Sequence, residues 1–88
     1  MCGAMTNKGG YFLIEGRWER SHNAPGDDAF FKIDEIGGTL DDAKRTAQTY
    51  LHRNAAFHHI RLEWVVGDKD GRPCYFAPTA AITFRITS

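Results

Sequence analysis

From Tyr11 to Arg20 apolar and polar side chains alternate, with Phe12, Ile14, Gly16 and Trp18 on one side and Leu13, Glu15, Arg17 and Glu19 on the other. A period of two sends successive side chains to opposite faces of an extended chain, so this segment predicts a half-buried strand. Ser21 to Asp28 gathers Asn23, Pro25, Gly26 and Asp27, each of which favours a turn through its own backbone preference. A second strand is predicted over Ala29–Ile36, with Phe31 and Ile33 turned to the core and Gly37-Gly38 ending it.

The period then becomes helical. Leu40, Ala43, Ala47, Tyr50 and Leu51 recur on one face, and Lys44, Arg45, Gln48, His52 and Arg53 lie opposite. Thr39 is placed to cap orphan amides, Asp41 and Asp42 to occupy the positive first turn, and Arg53 to sit near the negative end. These signals predict a helix from about Thr39 to Asn54, with an Asp41–Arg45 pair along its surface and alanines that let it approach a sheet closely.

Beyond Asn54-Ala-Ala-Phe57 the period returns to two. Ile60, Leu62, Trp64 and Val66 alternate with His59, Arg61, Glu63 and Val65, the clearest strand pattern in the chain. Gly67 to Arg72 reads as a polar hairpin loop whose Asp70-Gly71 pair suits a tight turn with positive φ. Tyr75 to Ala77 returns as far as Pro78, and Ala81 to Thr87 places Ile82, Phe84 and Ile86 inward with Thr83 and Arg85 outward. The order β-β-α-β-β-β predicts the α+β class: a single small domain with an antiparallel four- to five-stranded sheet and one amphipathic helix packed on one face. The expected core draws on Phe12, Ile14, Trp18, Phe31, Ile33, Ala43, Ala47, Leu51, Ile60, Leu62, Trp64, Ile82 and Phe84. Residues 1–10 lack periodicity and are expected to form a flexible arm, with Met5 as an alternative native start, before a domain spanning 11–88.

One helix covers only one face of such a sheet. The other face is expected to display Leu13, Glu15, Arg17, Phe30, Lys32, Asp34, His59, Arg61, Glu63, Thr83 and Arg85, charges of both signs broken by apolar side chains. Arg17, Phe30, Arg61 and Arg85 are the predicted partner contacts, because arginine and aromatic side chains anchor flat interfaces.

Composition narrows the function classes. Eighty-eight residues suit one core, and 42% hydrophobic with 25% charged residues is an ordinary globular balance. Eleven basic against eleven acidic residues leave no net charge, which removes the basic field that non-specific nucleic-acid binding relies on. No apolar run approaches a membrane span, the first ten residues are too polar for a signal peptide, and Cys2 and Cys74 make no disulfide framework, so a cytoplasmic protein is expected.

The chemical motifs are weak. His58 and His59 are adjacent, and so diverge in a strand, while His52 belongs to the polar helix face, a poor arrangement for a metal. Asp68-Lys69-Asp70-Gly71 has its glycine two positions early for a calcium loop, and Thr79 stands where the bidentate Glu belongs. Cys74 has no activating helix N-terminus beside it, and no glycine pattern marks a dinucleotide site. The expectation is therefore a non-enzymatic protein that requires no cofactor or metal.

Leu40-Asp-Asp-Ala-Lys-Arg-Thr-Ala, a Trp-containing strand and a polar hairpin together resemble the general plan of short β-β-α-β-β proteins carried by phages, prophages and other mobile elements. That plan spans residues ~30–76, follows from capping and amphipathicity, and carries over no functional residue. It includes inhibitors that occupy a partner's surface, anti-CRISPR proteins among them. The expected function is accordingly protein binding through the open face or a strand edge, self-association included. Single-stranded nucleic-acid binding by sheet aromatics and arginines is the alternative.

Overall fold

The computed structural model describes residues 10–19, 29–53 and 58–88. The expected arm, the turn at 21–28 and the Asn54-Ala-Ala-Phe57 link lie outside them, Gly10 apart. The elements are β1 (Tyr11–Trp18), β2 (Phe31–Gly37), α1 (Leu40–Arg53), β3 (Val65–Lys69), β4 (Arg72–Pro78) and β5 (Ile82–Thr87). They build one antiparallel five-stranded sheet with the helix on one face, as the periodicity predicts, and the strands lie in the order β2-β1-β5-β4-β3.

The helix starts where its capping chemistry says it should. Asp42 N–H donates to Thr39 Oγ1 and Thr39 N–H donates to Asp42 Oδ2, both at 3.1 Å, a reciprocal box that satisfies two otherwise orphan amides. Arg45 pairs with Asp42 at 3.3 Å rather than with Asp41. Ala43, Ala47 and Leu51 are fully buried against Ile14, Ile82, Phe84 and Ile86 of the central strands. Gly16 leaves room for the ends of Ile33 and Ile82, which a Cβ at that position would meet at 2.9 and 3.2 Å. Phe31, Tyr50 and Phe84 follow one another at ring separations of 6.3 and 6.0 Å, joining the β2 side of the sheet to the core.

The register of β2 shifts between Asp34↔Ile14 and Lys32↔Glu15, leaving Ile33 as an extra residue. This bulge turns Phe31, Ile33 and Ile36 all toward the core, where strict alternation would have put Ile36 outside. It also moves Asp34 off the open face, where it was expected. Asp34 lines instead a groove between β2 and the helix, together with Asp42, Arg45, Tyr50 and Arg53.

The largest departure from expectation is the segment before β3. Ile60 to Trp64 joins no ladder, although Leu62 is buried and Ile60 and Trp64 pack on the core. Pro78 explains where pairing stops. Val65 lies opposite Phe76, so two positions on Glu63 would face Pro78, which has no N–H to donate. The helix supplies the missing partners. Gln48 Nε2 donates to the Ile60 carbonyl at 2.8 Å, and Leu62 N–H donates to Gln48 Oε1 at 3.2 Å. An amide side chain thus stands in for a neighbouring strand. At the other end of β3 the hairpin is tighter than expected: only Asp70 (φ 53°) and Gly71 (φ 78°) form the turn, while Gly67 to Lys69 and Arg72 belong to strands.

Three further positions depart from expectation. Trp18 is 36% exposed at the end of β1 rather than in the core, whereas Thr83 and Arg85, expected to be displayed on the open face, are 6% and 4% exposed.

Gln48→Ala leaves the Leu62 amide without its partner and the Ile60 carbonyl with only His52 Nε2, 3.3 Å away, and is expected to cost about 1–3 kcal/mol in denaturant unfolding. Hydrogen exchange at the Leu62 amide should accelerate beyond that global loss; unchanged protection there would contradict the clamp. The carboxyl of Asp42 is held below the usual aspartate range, first by the Thr39 N–H, then by the Thr39 hydroxyl, with Arg45 adding to both. Its folded value lies below its unfolded one, so its contribution is fully present above the unfolded value of about 3.9 and is lost as pH falls through the folded value. The stability difference between the parent and Asp42→Asn, read from unfolding curves, should therefore hold constant near neutrality and narrow only in that acidic window.

Candidate functional site

On the face away from the helix, β1 and β5 lie side by side with Glu15 opposite Arg85 and Arg17 opposite Thr83. Seventy residues of sequence separate Glu15 from Arg85, yet Arg85 Nε and Nη2 each lie 2.8 Å from Glu15 Oε1. Both groups are largely removed from water, with side-chain exposures of 5% for Arg85 and 16% for Glu15. Phe30, just before β2, lays its ring over this pair, 3.9 Å from the Arg85 guanidinium carbon and 5.0 Å from that of Arg17. A ring face carries partial negative charge, so stacking partly replaces the hydration that the guanidiniums lose.

Glu19 closes the other end of the arrangement. It accepts a hydrogen bond from Thr83 Oγ1 and lies 3.6 Å from Arg17 Nη2. Each arginine beneath Phe30 is thus matched with a carboxylate of its own. Beside them Arg17, Phe30, Thr83 and Arg85 form one wall of an open hollow of about 490 Å³, whose other wall is Phe76 with Asp68, Lys69 and Asp70 of the β3–β4 hairpin. Phe76 lies flat on β3 because Gly67 has no side chain; a Cβ there would meet the ring at 2.8 Å.

Three of the four predicted contacts, Arg17, Phe30 and Arg85, therefore come together. Arg61 does not. It precedes β3, outside the sheet, and lines a separate hollow of about 380 Å³ with Gln48, His52, His58, His59 and Ile60 near the end of the helix. His59 likewise leaves the face on which alternation had placed it, and Glu63 lies exposed just outside the sheet. The reason is the ladder stop at Pro78, which the period-two pattern does not register. The three histidines border one depression, but no cluster of metal-binding side chains occurs among the described residues. Cys74 is buried, with its Sγ 3.5 Å from Thr87 Oγ1.

Phe76 is absent from the sequence-based expectations for this face, and Asp68, Lys69 and Asp70 enter them only as a hairpin that does not fit a calcium loop. For Phe76 the signal was present: with Tyr75 and Ala77 directed to the core, the residue between them faces out. For the hairpin residues no local signal exists, since their role comes from where the hairpin lies over the sheet.

Glu15→Ala strands a buried guanidinium, and should lower unfolding stability by about 3–5 kcal/mol. Replacing both members, Glu15→Leu with Arg85→Met, should recover most of that loss; equal losses in the single and double variants would refute a paired interaction. Comparison of the chain with family models, with curated proteins and with solved structures finds no match.

Proposed function

We propose that this chain is a non-catalytic, cytoplasmic protein-binding module that meets its partner with the sheet face opposite the helix, in the manner of the small inhibitors of mobile elements. The observation that carries the reading is the Phe30 ring held over Arg85 and Arg17 on a base of paired carboxylates. Aromatic and arginine side chains already fixed in place lose little freedom on binding, which is the property of interface anchors. A rim of both charge signs, Asp68, Lys69 and Asp70, surrounds them and suits discrimination between partners. The arrangement favours a protein over a nucleic acid: Glu15 and Glu19 offset the two arginines, and two aspartates line the same hollow.

Affinity capture from lysate, run beside titrations of single-stranded DNA and RNA at several salt concentrations, tests this. A nuclease-resistant protein partner is expected, its affinity reduced about 30-fold or more by Arg17→Glu and by Phe30→Ala, each measured well below the melting temperature of the variant. Capture indifferent to both substitutions would place binding elsewhere, and tight nucleic-acid binding with a steep salt slope would establish the other reading.

A further inference from the structure

The two edges of the sheet are built differently. On β2 the Ile33 bulge breaks the ladder spacing, and Lys32, Asp34 and Glu35 put charge of both signs along the strand, features that discourage a further strand from pairing. β3 reads Val-Val-Gly-Asp-Lys, has no register shift, and leaves Val65 56% and Val66 67% exposed. Among the described residues no strand pairs with its outer side.

Its backbone is oriented for such a partner. Lys69 and Arg72 flank a two-residue turn and so form a hydrogen-bonded pair; alternation then directs the polar groups of Gly67 and Val65 to β4 as well. The N–H and C=O of Val66 and Asp68 consequently point to the open edge.

We propose that a second copy of this chain pairs antiparallel with β3 across a twofold axis at Val66, joining the two sheets edge to edge. Charge selects this register. With the axis at Val66, Glu63 of each copy lies opposite Lys69 of the other, and Val65 lies opposite Gly67, over which the Phe76 ring is spread. An axis at Asp68 would set two aspartates face to face, an axis at Val65 would set Arg61 against Lys69, and an axis at Gly67 would match Val66 with Asp68. The Val66 register also sets Asp68 opposite Trp64, but of these four it alone pairs opposite charges, and it does so twice by symmetry. The interface uses the strand edge and leaves Arg17 and Phe30 outside it; Lys69 belongs to both surfaces, so Glu63→Lys and Val66→Pro, which lie outside the open-face hollow, separate the two readings.

Sedimentation equilibrium of the full chain from micromolar to millimolar concentration tests the proposal. A dimer is expected, weakened about tenfold or more by Glu63→Lys or by Lys69→Glu, since each reverses two cross-strand pairs, and restored when both are combined. Val66→Pro removes one outward N–H without touching the β4 ladder and should yield a folded monomer by thermal melting. Should either variant unfold, hydrogen exchange of the parent decides: the Val66 and Asp68 amides must be better protected in the concentrated sample than in the dilute one. A monomer throughout, exchange independent of concentration, or a dimer unmoved by these substitutions would overturn the proposal.

Discussion

A guanidinium with almost no exposed surface loses several kcal/mol of hydration unless its neighbours replace what water gave it. Arg85 sits in this position on the sheet face opposite the helix, and Glu15 below with Phe30 above are the replacements. The pair also fixes register. Sliding β5 two residues along β1 would set Arg85 against Leu13 or Arg17, leaving the charge unmatched or repelled, whereas a one-residue slide would exchange the two faces of the strand. With Glu15 opposite Arg85, Ile14 necessarily meets Ile86 and Gly16 meets Phe84 on the reverse face, where the helix lies. A polar contact on one surface thus sets the apolar jigsaw on the other.

The return from the helix to the far edge of the sheet depends on a second polar device. Pro78 ends what β4 can offer to the approaching chain, and Gln48 takes over with its amide. Leu62 can therefore be buried with its N–H paired, and Trp64 reaches its position against the core, with Lys44 Nζ 6.0 Å from its ring. The same shortening of β3 leaves its outer side a compact strip of two valines and a glycine.

Much of the architecture was legible because it rests on local rules. Thr39 and Asp42 announce the helix start, the alanine and leucine spacing announces its buried face, and Asp70-Gly71 announces the hairpin. What was illegible depends on facts distant in sequence. Alternation correctly placed Thr83 and Arg85 on the face away from the helix, but could not show that Glu19 and Phe30 of this same chain cover them there, because neither is near them in sequence. Alternation also predicted a strand over Ile60–Val66 where only burial alternates; hydrogen bonding there is set by Pro78 and Gln48, which no periodicity encodes. Arg61 was misplaced for the same reason, and Asp34 because a bulge shifts the phase of β2 midway. Arg17, Phe30 and Arg85 were legible as residues of one face because alternation alone assigns the face, whereas the registers that bring them together are not encoded locally.

The placement of β5 between β1 and β4 has a consequence for biosynthesis. Strands from opposite ends of the sequence form the centre of the sheet, so the core cannot close around a partial chain. During translation β1, β2 and the helix emerge first, with the apolar sides of Ile14, Ala47 and Leu51 lacking Ile82, Phe84 and Ile86 to pack against. At about 5–20 residues per second the ribosome holds that unfinished half-sheet open for seconds, and only when β5 has cleared the exit tunnel can the two sides join. Assembly of this sheet therefore waits for its last strand, and the pairing of β1 with β5 closes the longest loop between paired strands among the described residues.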